Sequence, residues 1–120
     1  MKRATVRRSR EAQIQEEGWG RLVWYARRSL GNSEDMTVGL CVLKPGMSNP
    51  RHYHPNCSEV LVVWKGKITH TIHEKKEVVL REGDCVTIPP LLFHQARNVG
   101  KTEAVLFIAF SSADRQAVFE

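Results

Sequence analysis

Two of the chain's five histidines, His52 and His54, stand two residues apart, and they are followed by Glu59 and then by His94. Imidazole nitrogens together with one carboxylate oxygen suit Mn, Fe, Co, Ni or Zn, whereas an all-oxygen set would suit Ca or Mg. In an extended strand successive side chains alternate between faces, so His52 and His54 project from the same side. Pro55, Asn56, Cys57 and Ser58 then bend the chain. The strand expected to return, over residues 59–64, begins with a carboxylate able to swing back against both imidazoles. Three of the four candidate ligands therefore come from one expected hairpin. His94, preceded by Pro89 and Pro90, needs another strand to bring it to the same point.

The surrounding residues supply strands of the right kind. Residues 19–28 alternate, with Leu22, Trp24 and Ala26 on one face and Val23, Tyr25 and Arg27 on the other. Gly31-Asn32-Ser33 marks a loop, and residues 36–44 form the next strand, closed by Pro45-Gly46. Residues 67–73, 77–81, 84–88, 93–99 and 103–110 complete the set. Short strands at this spacing, with turn signals between them, indicate an all-β sandwich or barrel. We expect a basic N-terminal arm over residues 1–18, the barrel over 19–112, and a polar C-terminal tail over 113–120 with at most one helical turn. Residues 11–18, with Ala12 and Ile14, fit either a short helix or an extended arm.

Gly46, His52, His54, Glu59 and Gly66 meet every fixed position of the pattern G(X)5HXH(X)3-4E(X)6G, and Gly83, Pro89, His94 and Asn98 meet G(X)5PXG(X)2H(X)3N. In these residues the chain resembles the cupin superfamily. Leu91 stands where the second pattern has glycine, which suggests a different turn before His94. The two motifs cover residues 46–98. The resemblance implies a single-domain antiparallel jelly-roll β-barrel holding one divalent transition metal on His52, His54, Glu59 and His94.

A closed barrel would turn those ligands toward an apolar interior. Leu61 and Val63 share the face of Glu59, and Ala96 and Asn98 share that of His94. On the last long strand either Phe107 and Ala109 or Leu106, Ile108 and Phe110 line the pocket. His70 and His73 fall on opposite faces, so at most one looks inward, and each reads as a surface or cross-strand group. Lysine and arginine are scarce among the expected inward positions, which disfavours phosphorylated sugars. The expected ligand is a small, partly hydrophobic molecule that chelates through a carboxylate, enol or carbonyl. Cupins with this ligand set look like oxygenases, isomerases and lyases, so an oxidoreductase-like enzyme is one reading. A non-catalytic module that binds or senses a small ligand is the other.

Composition sets the outer limits. At 120 residues the chain makes one domain with a real core. Lys2, Arg3, Arg7, Arg8 and Arg10 account for the whole net charge of +5. Such an arm reads as a solvated terminus or a strand that pairs with a neighbouring subunit, and nucleic-acid binding is disfavoured because no aromatic-interleaved basic groove accompanies it. Three cysteines, Cys41, Cys57 and Cys85, do not form a disulfide framework. Cys41 and Cys85 read as small buried hydrophobes and Cys57 as a turn residue packed beneath the metal hairpin, with reach to the metal as its sharper alternative. The longest apolar run, residues 104–110, is far short of a membrane span, and the N-terminus lacks a secretory apolar run, so a cytoplasmic protein is expected. Trp19, Trp24 and Trp64 offer more aromatic surface than one small barrel needs to bury. A homodimer is expected, with Trp64, opposite Glu59, at its interface.

Overall fold

The computed structural model describes residues 3–120. Its strands are β1 (Gln13–Glu17), β2 (Gly20–Ala26), β3 (Thr37–Leu43), β4 (His52–Tyr53), β5 (Glu59–Lys65), β6 (Ile68–His73), β7 (Lys76–Leu80), β8 (Cys85–Ile88), β9 (Ala96–Asn98), β10 (Ala104–Phe110) and β11 (Val118–Phe119). The helical content among the described residues is two short 3-10 turns, Ser9–Glu11 and Arg28–Leu30. No helix among these residues is long and apolar enough to cross a membrane.

The strands form two facing layers. One is a six-stranded sheet in the order β1-β2-β3-β10-β5-β8. The other combines the three-stranded sheet β7-β6-β9 with the pair β11-β4, joined by the bridges Ser48↔Arg97 and His52↔His94. All pairings of named strands are antiparallel. The architecture is the antiparallel jelly-roll barrel that the strand pattern and motifs led us to expect.

Period-two alternation places the core between the layers. In β10, Ala104, Leu106, Ile108 and Phe110 are buried, and in β5 so are Glu59, Leu61 and Val63. This settles the parity of the last long strand, since Ile108 and Phe110, and not Phe107 and Ala109, face the cavity. Trp24 is the largest fully buried side chain and lies against Gly39 on the neighbouring strand. A β-carbon at Gly39 would come within 2.7 Å of the Trp24 ring and 2.3 Å of the Val23 carbonyl oxygen, so glycine is what lets the indole lie flat there.

Several local expectations are corrected by the pairing. The segment from His52 to Glu59 is not a hairpin: β4 pairs with β11, whereas β5 pairs with β10 and β8. The turn at Pro55–Ser58 carries the chain from one layer to the other, so the ligands face each other across the barrel. The tail forms no helical turn. It makes a turn at residues 113–114 and then runs on to β11, which pairs with β4. Residues 13–17 form an edge strand in full register with β2, so this part of the arm extends the chain's own sheet. Arg7, in the basic cluster, donates to the carbonyls of Glu11 and Leu30; Lys2 lies outside the described residues. Cys85 is exposed because it points outward from the edge strand β8, whereas Cys41 and Cys57 are buried as expected.

Leu91 has φ +72°, the left-handed region that favours glycine. Its side chain is 66% exposed, and its amide donates to the His54 carbonyl at 3.0 Å. The leucine thus takes up a conformation that glycine would adopt without strain, at a cost of about 1–2 kcal/mol. Glycine would relieve that cost but lose about 0.5–1 kcal/mol through its greater unfolded-state freedom. Leu91→Gly is expected to raise the melting temperature by roughly 2–4 °C with metal content unchanged; a lower melting temperature would show that Leu91 packs against something essential.

Candidate metal centre

The four candidate ligands arrive from three directions. His52 opens β4, His54 follows its end, and Glu59 opens β5 between Phe110 and Ile88. His94 is locked to His52 by a reciprocal pair of backbone hydrogen bonds of 2.8 and 3.1 Å. All four are buried, with exposures between 2% and 6%. Ligand nitrogens of His52, His54 and His94 lie within 4.8 Å of one another. Glu59 Oε1 is 3.2 Å from His54 Nε2 and 3.3 Å from His94 Nε2.

The outer nitrogens of these rings determine what the inner ones can do. Nδ1 of His52 donates to Pro50 O at 2.7 Å, that of His54 to Gln116 O at 2.8 Å, and that of His94 to Leu92 O at 2.8 Å. A carbonyl can only accept, so in each neutral ring the proton sits on Nδ1 and Nε2 keeps a lone pair. His54 Nε2, His94 Nε2 and Glu59 Oε1 are buried with no hydrogen-bond partner among the described residues. Three buried acceptors aimed at one another repel unless positive charge lies among them. Adjacent ligands around a cation at about 2.1 Å stand about 3.0–3.4 Å apart, and the Glu59 contacts fall in that range. The residues therefore fit a divalent ion.

Electrostatics favours the metal-ready protonation states. Burial, reinforced by charge on His94, lowers the His52 pKa to about 3. Burial alone would raise Glu59, but its close approach to the His54 and His94 imidazoles outweighs it and holds the carboxyl at about 2. For a histidine with a depressed folded pKa, the unfolded chain takes up a proton first as pH falls below 6.5. The metal-free protein should thus lose stability from about pH 6.5 toward pH 3, by up to about 1.4 kcal/mol per pH unit for each fully linked group. Glu59 adds loss only below pH 4.5, its unperturbed value. Urea titrations of chelator-treated protein at pH 7.5 and 5 test this, and equal midpoints would refute the buried neutral state of His52.

Beside these groups lies a cavity of about 320 Å³, whose apolar wall includes Leu22, Leu61, Ile108 and Phe110. Several polar side chains that sequence reading placed elsewhere line it, His70 and Arg115 among them. His70 is 1% exposed, stacks on His94 with centroids 5.6 Å apart, and donates from Nδ1 to Thr71 O at 2.7 Å. Burial lowers its pKa. The expectation that His70 sits at the surface is overturned because β6 is the middle strand of its sheet and His70 shares the inward face of Ile68. That pairing with Ile68 was the available signal. His73 is exposed, as expected.

Arg115 is the second. The tail carries it under the barrel, where its guanidinium carbon lies 5.0 Å from the Trp24 ring centroid and 4.9 Å from that of Phe110. Burial lowers its pKa, against the attraction of Glu59. Inward positions therefore include one arginine and no lysine among the lining residues, scarce as expected, although nothing in the local pattern of a polar tail signals Arg115. Phe119, from the same tail, sits 5.8 Å from the His52 ring. Cys57 is packed in the core, and burial raises its thiol pKa, so it has no thiolate character toward the site.

A cupin domain model matches residues 39–110, more than half of the chain. The chain belongs to the cupin family. This cupin is 37% identical over 82 residues to oxalate oxidase 1 of Hordeum vulgare, covering 62% of this chain and 41% of that protein. It is also 37% identical over 82 residues to germin-like protein 3-5 of Oryza sativa subsp. japonica, covering 62% and 36%. The chain thus spans less than half the length of these curated relatives. A solved oxalate oxidase in complex with the substrate analogue glycolate superposes with a TM-score of 0.67 at 33% identity, over 71% of this cupin and 46% of that chain. A mutant of Bacillus subtilis oxalate decarboxylase superposes with a TM-score of 0.83 at 22% identity, over 93% and 31%, a likeness of fold.

Proposed function

We propose that His52, His54, Glu59 and His94 hold one divalent transition ion, Mn, Fe, Co, Ni or Zn, and that the chain is a metal-dependent enzyme acting on a small carboxylate, enolic or carbonyl substrate. The observation that carries this reading is the convergence of buried, unpartnered His54 Nε2, His94 Nε2 and Glu59 Oε1, beside three imidazoles whose other nitrogens are already committed. When bound, such an ion keeps open positions that polarise a carbonyl or carboxylate and allow oxygen chemistry. The likeness to oxalate oxidase supports a carboxylate substrate within the oxygenase, isomerase or lyase range.

The chain's own groups support catalysis over passive binding. His70, neutral and lining the cavity, is a proton acceptor that Glu59, as a ligand, could not be. The apolar wall of Leu22, Leu61, Ile108 and Phe110 lowers the polarity around the reacting atoms. Elemental analysis of protein purified without added metal, followed by oxygen-uptake assays with oxalate, glycolate and enolic or catecholic compounds, tests the proposal. Bound metal with turnover of one of these is expected. A metal-free protein would refute the metal reading, and a loaded protein that binds these compounds without turning any over would establish a binding module instead.

The outward face of the six-stranded sheet supports a homodimer. Leu40, Phe107 and Val62 lie side by side across β3, β10 and β5, with Val38, Ala109 and Val60 in the adjoining row. Neither row carries a charge, and Trp64 extends from the same face with 65% exposure. An uncharged strip of this kind suits burial against its own copy. Trp64→Glu is expected to shift the protein from dimer to monomer in sedimentation velocity, and an unchanged sedimentation coefficient would place the contact elsewhere.

A further inference from the structure

Arg115 is held differently from the ion-paired arginines Arg21, Arg28 and Arg51 and, unlike Arg27, it lines the cavity. Its guanidinium makes no side-chain hydrogen bond or ion pair among the described residues, and its Nε is buried without a partner. Trp24 and Phe110 hold the group by their faces at 5.0 and 4.9 Å. Such contacts leave the in-plane N–H fork free. Arg27 lies 5.1 Å from the same Trp24 ring, so a second cation faces this corner. Arg115 lines the same cavity as Glu59, His52, His70 and His94. Glu17, at the end of the edge strand, also lines it and accepts from Gln15 Nε2 at 3.0 Å.

With a divalent ion bound, the charge of Glu59 would be offset, and the cavity would hold two cationic points, the ion and Arg115, with Glu17 as a further carboxylate in its lining. An ion with open positions takes one carboxylate. A planar fork with unused donors takes another in bidentate fashion. We propose that Arg115, supplied by the C-terminal tail, anchors the far carboxylate of a small dicarboxylate whose near carboxylate binds at the histidine centre. This deepens the function proposed above and rests on it. Arg115 is here a specificity-determining residue that separates dicarboxylates from monocarboxylates of the same size.

The test uses full-length protein loaded with manganese, with metal content measured in every variant. Calorimetric titration with oxalate, malonate and succinate is compared with acetate and with oxamide, which lacks the charges. Wild-type protein is expected to bind at least one dicarboxylate more tightly than acetate or oxamide. Arg115→Gln should weaken that dicarboxylate by about 10–100-fold, the range for hydrogen bonds to charged groups, while acetate affinity changes by less than about threefold. Arg115→Lys keeps the charge and loses the fork, so it should fall between the two and serves as the folding control. Loaded wild type without dicarboxylate preference overturns the proposal. So does Arg115→Gln that binds dicarboxylates as wild type does, or that loses acetate equally. If wild-type protein takes up no metal, the metal reading fails and this inference falls with it, an outcome that metal content alone identifies.

Discussion

His94→Ala should bring the metal content of the purified protein from near one ion per chain to a small residue. Free energies of structural metal sites at neutral pH, about 10–16 kcal/mol for four ligands, assign about 3 kcal/mol to one imidazole. That is a loss of affinity on the order of a hundredfold. The effect should exceed simple ligand loss because His94 also holds His52 through their paired backbone bonds and contributes to the depression of the His52 pKa. His52→Ala should act similarly. Elemental analysis after dialysis against a weak chelator measures the outcome. Stoichiometric metal in both variants would mean that the ion, if any, lies elsewhere.

Truncation after Ala113 is expected to have the second largest effect, although it removes none of the proposed ligands. Residues 114–120 supply the Gln116 carbonyl that orients His54 at 2.8 Å, the Phe119 ring against His52, and the strand that pairs with β4. Loss of groups that orient a metal ligand reduces affinity about 10–100-fold. The core between the layers is largely drawn from other strands, so the truncated chain should still fold, with a circular dichroism spectrum close to that of wild type. A milder version is Asn56→Ala. Asn56 donates to Asp114 O and accepts from Gln116 N, pinning the tail over the turn, and its loss should lower metal affinity by roughly tenfold. If truncation leaves metal affinity unchanged, the Gln116 contact is dispensable and His54 is oriented by packing alone.

The truncation prediction rests on contacts that no local pattern announces. His54 and Gln116 are 62 residues apart in the chain, and their hydrogen bond exists because two-residue β11 docks beside two-residue β4. Strands so short carry no readable alternation, which is why residues 113–120 read as a polar tail with at most a helical turn. Arg115 was hidden for the same reason. His70 was nearly legible: its alternation with Ile68 was visible, but which face turns inward depends on β6 lying between β7 and β9. The bulge between Thr71 and His73 then leaves Ile72 without a partner on β7 and exposed. Cys85 fails as a buried residue because it faces outward from an edge strand, and edge position is a property of the sheet.

The amino-acid order alone determined the all-β class, the positions of β2 to β10 to within a few residues, and the candidate set His52, His54, Glu59 and His94, because side-chain alternation and turn chemistry act over a few residues. Only the tertiary structure decided that the segment from His52 to Glu59 spans two layers, that the N-terminal segment edges its own sheet, and that His70, Arg115 and Gln116 join the site. Those outcomes depend on which distant strands share hydrogen bonds, a choice made by the burial of whole faces and encoded in no short window of residues.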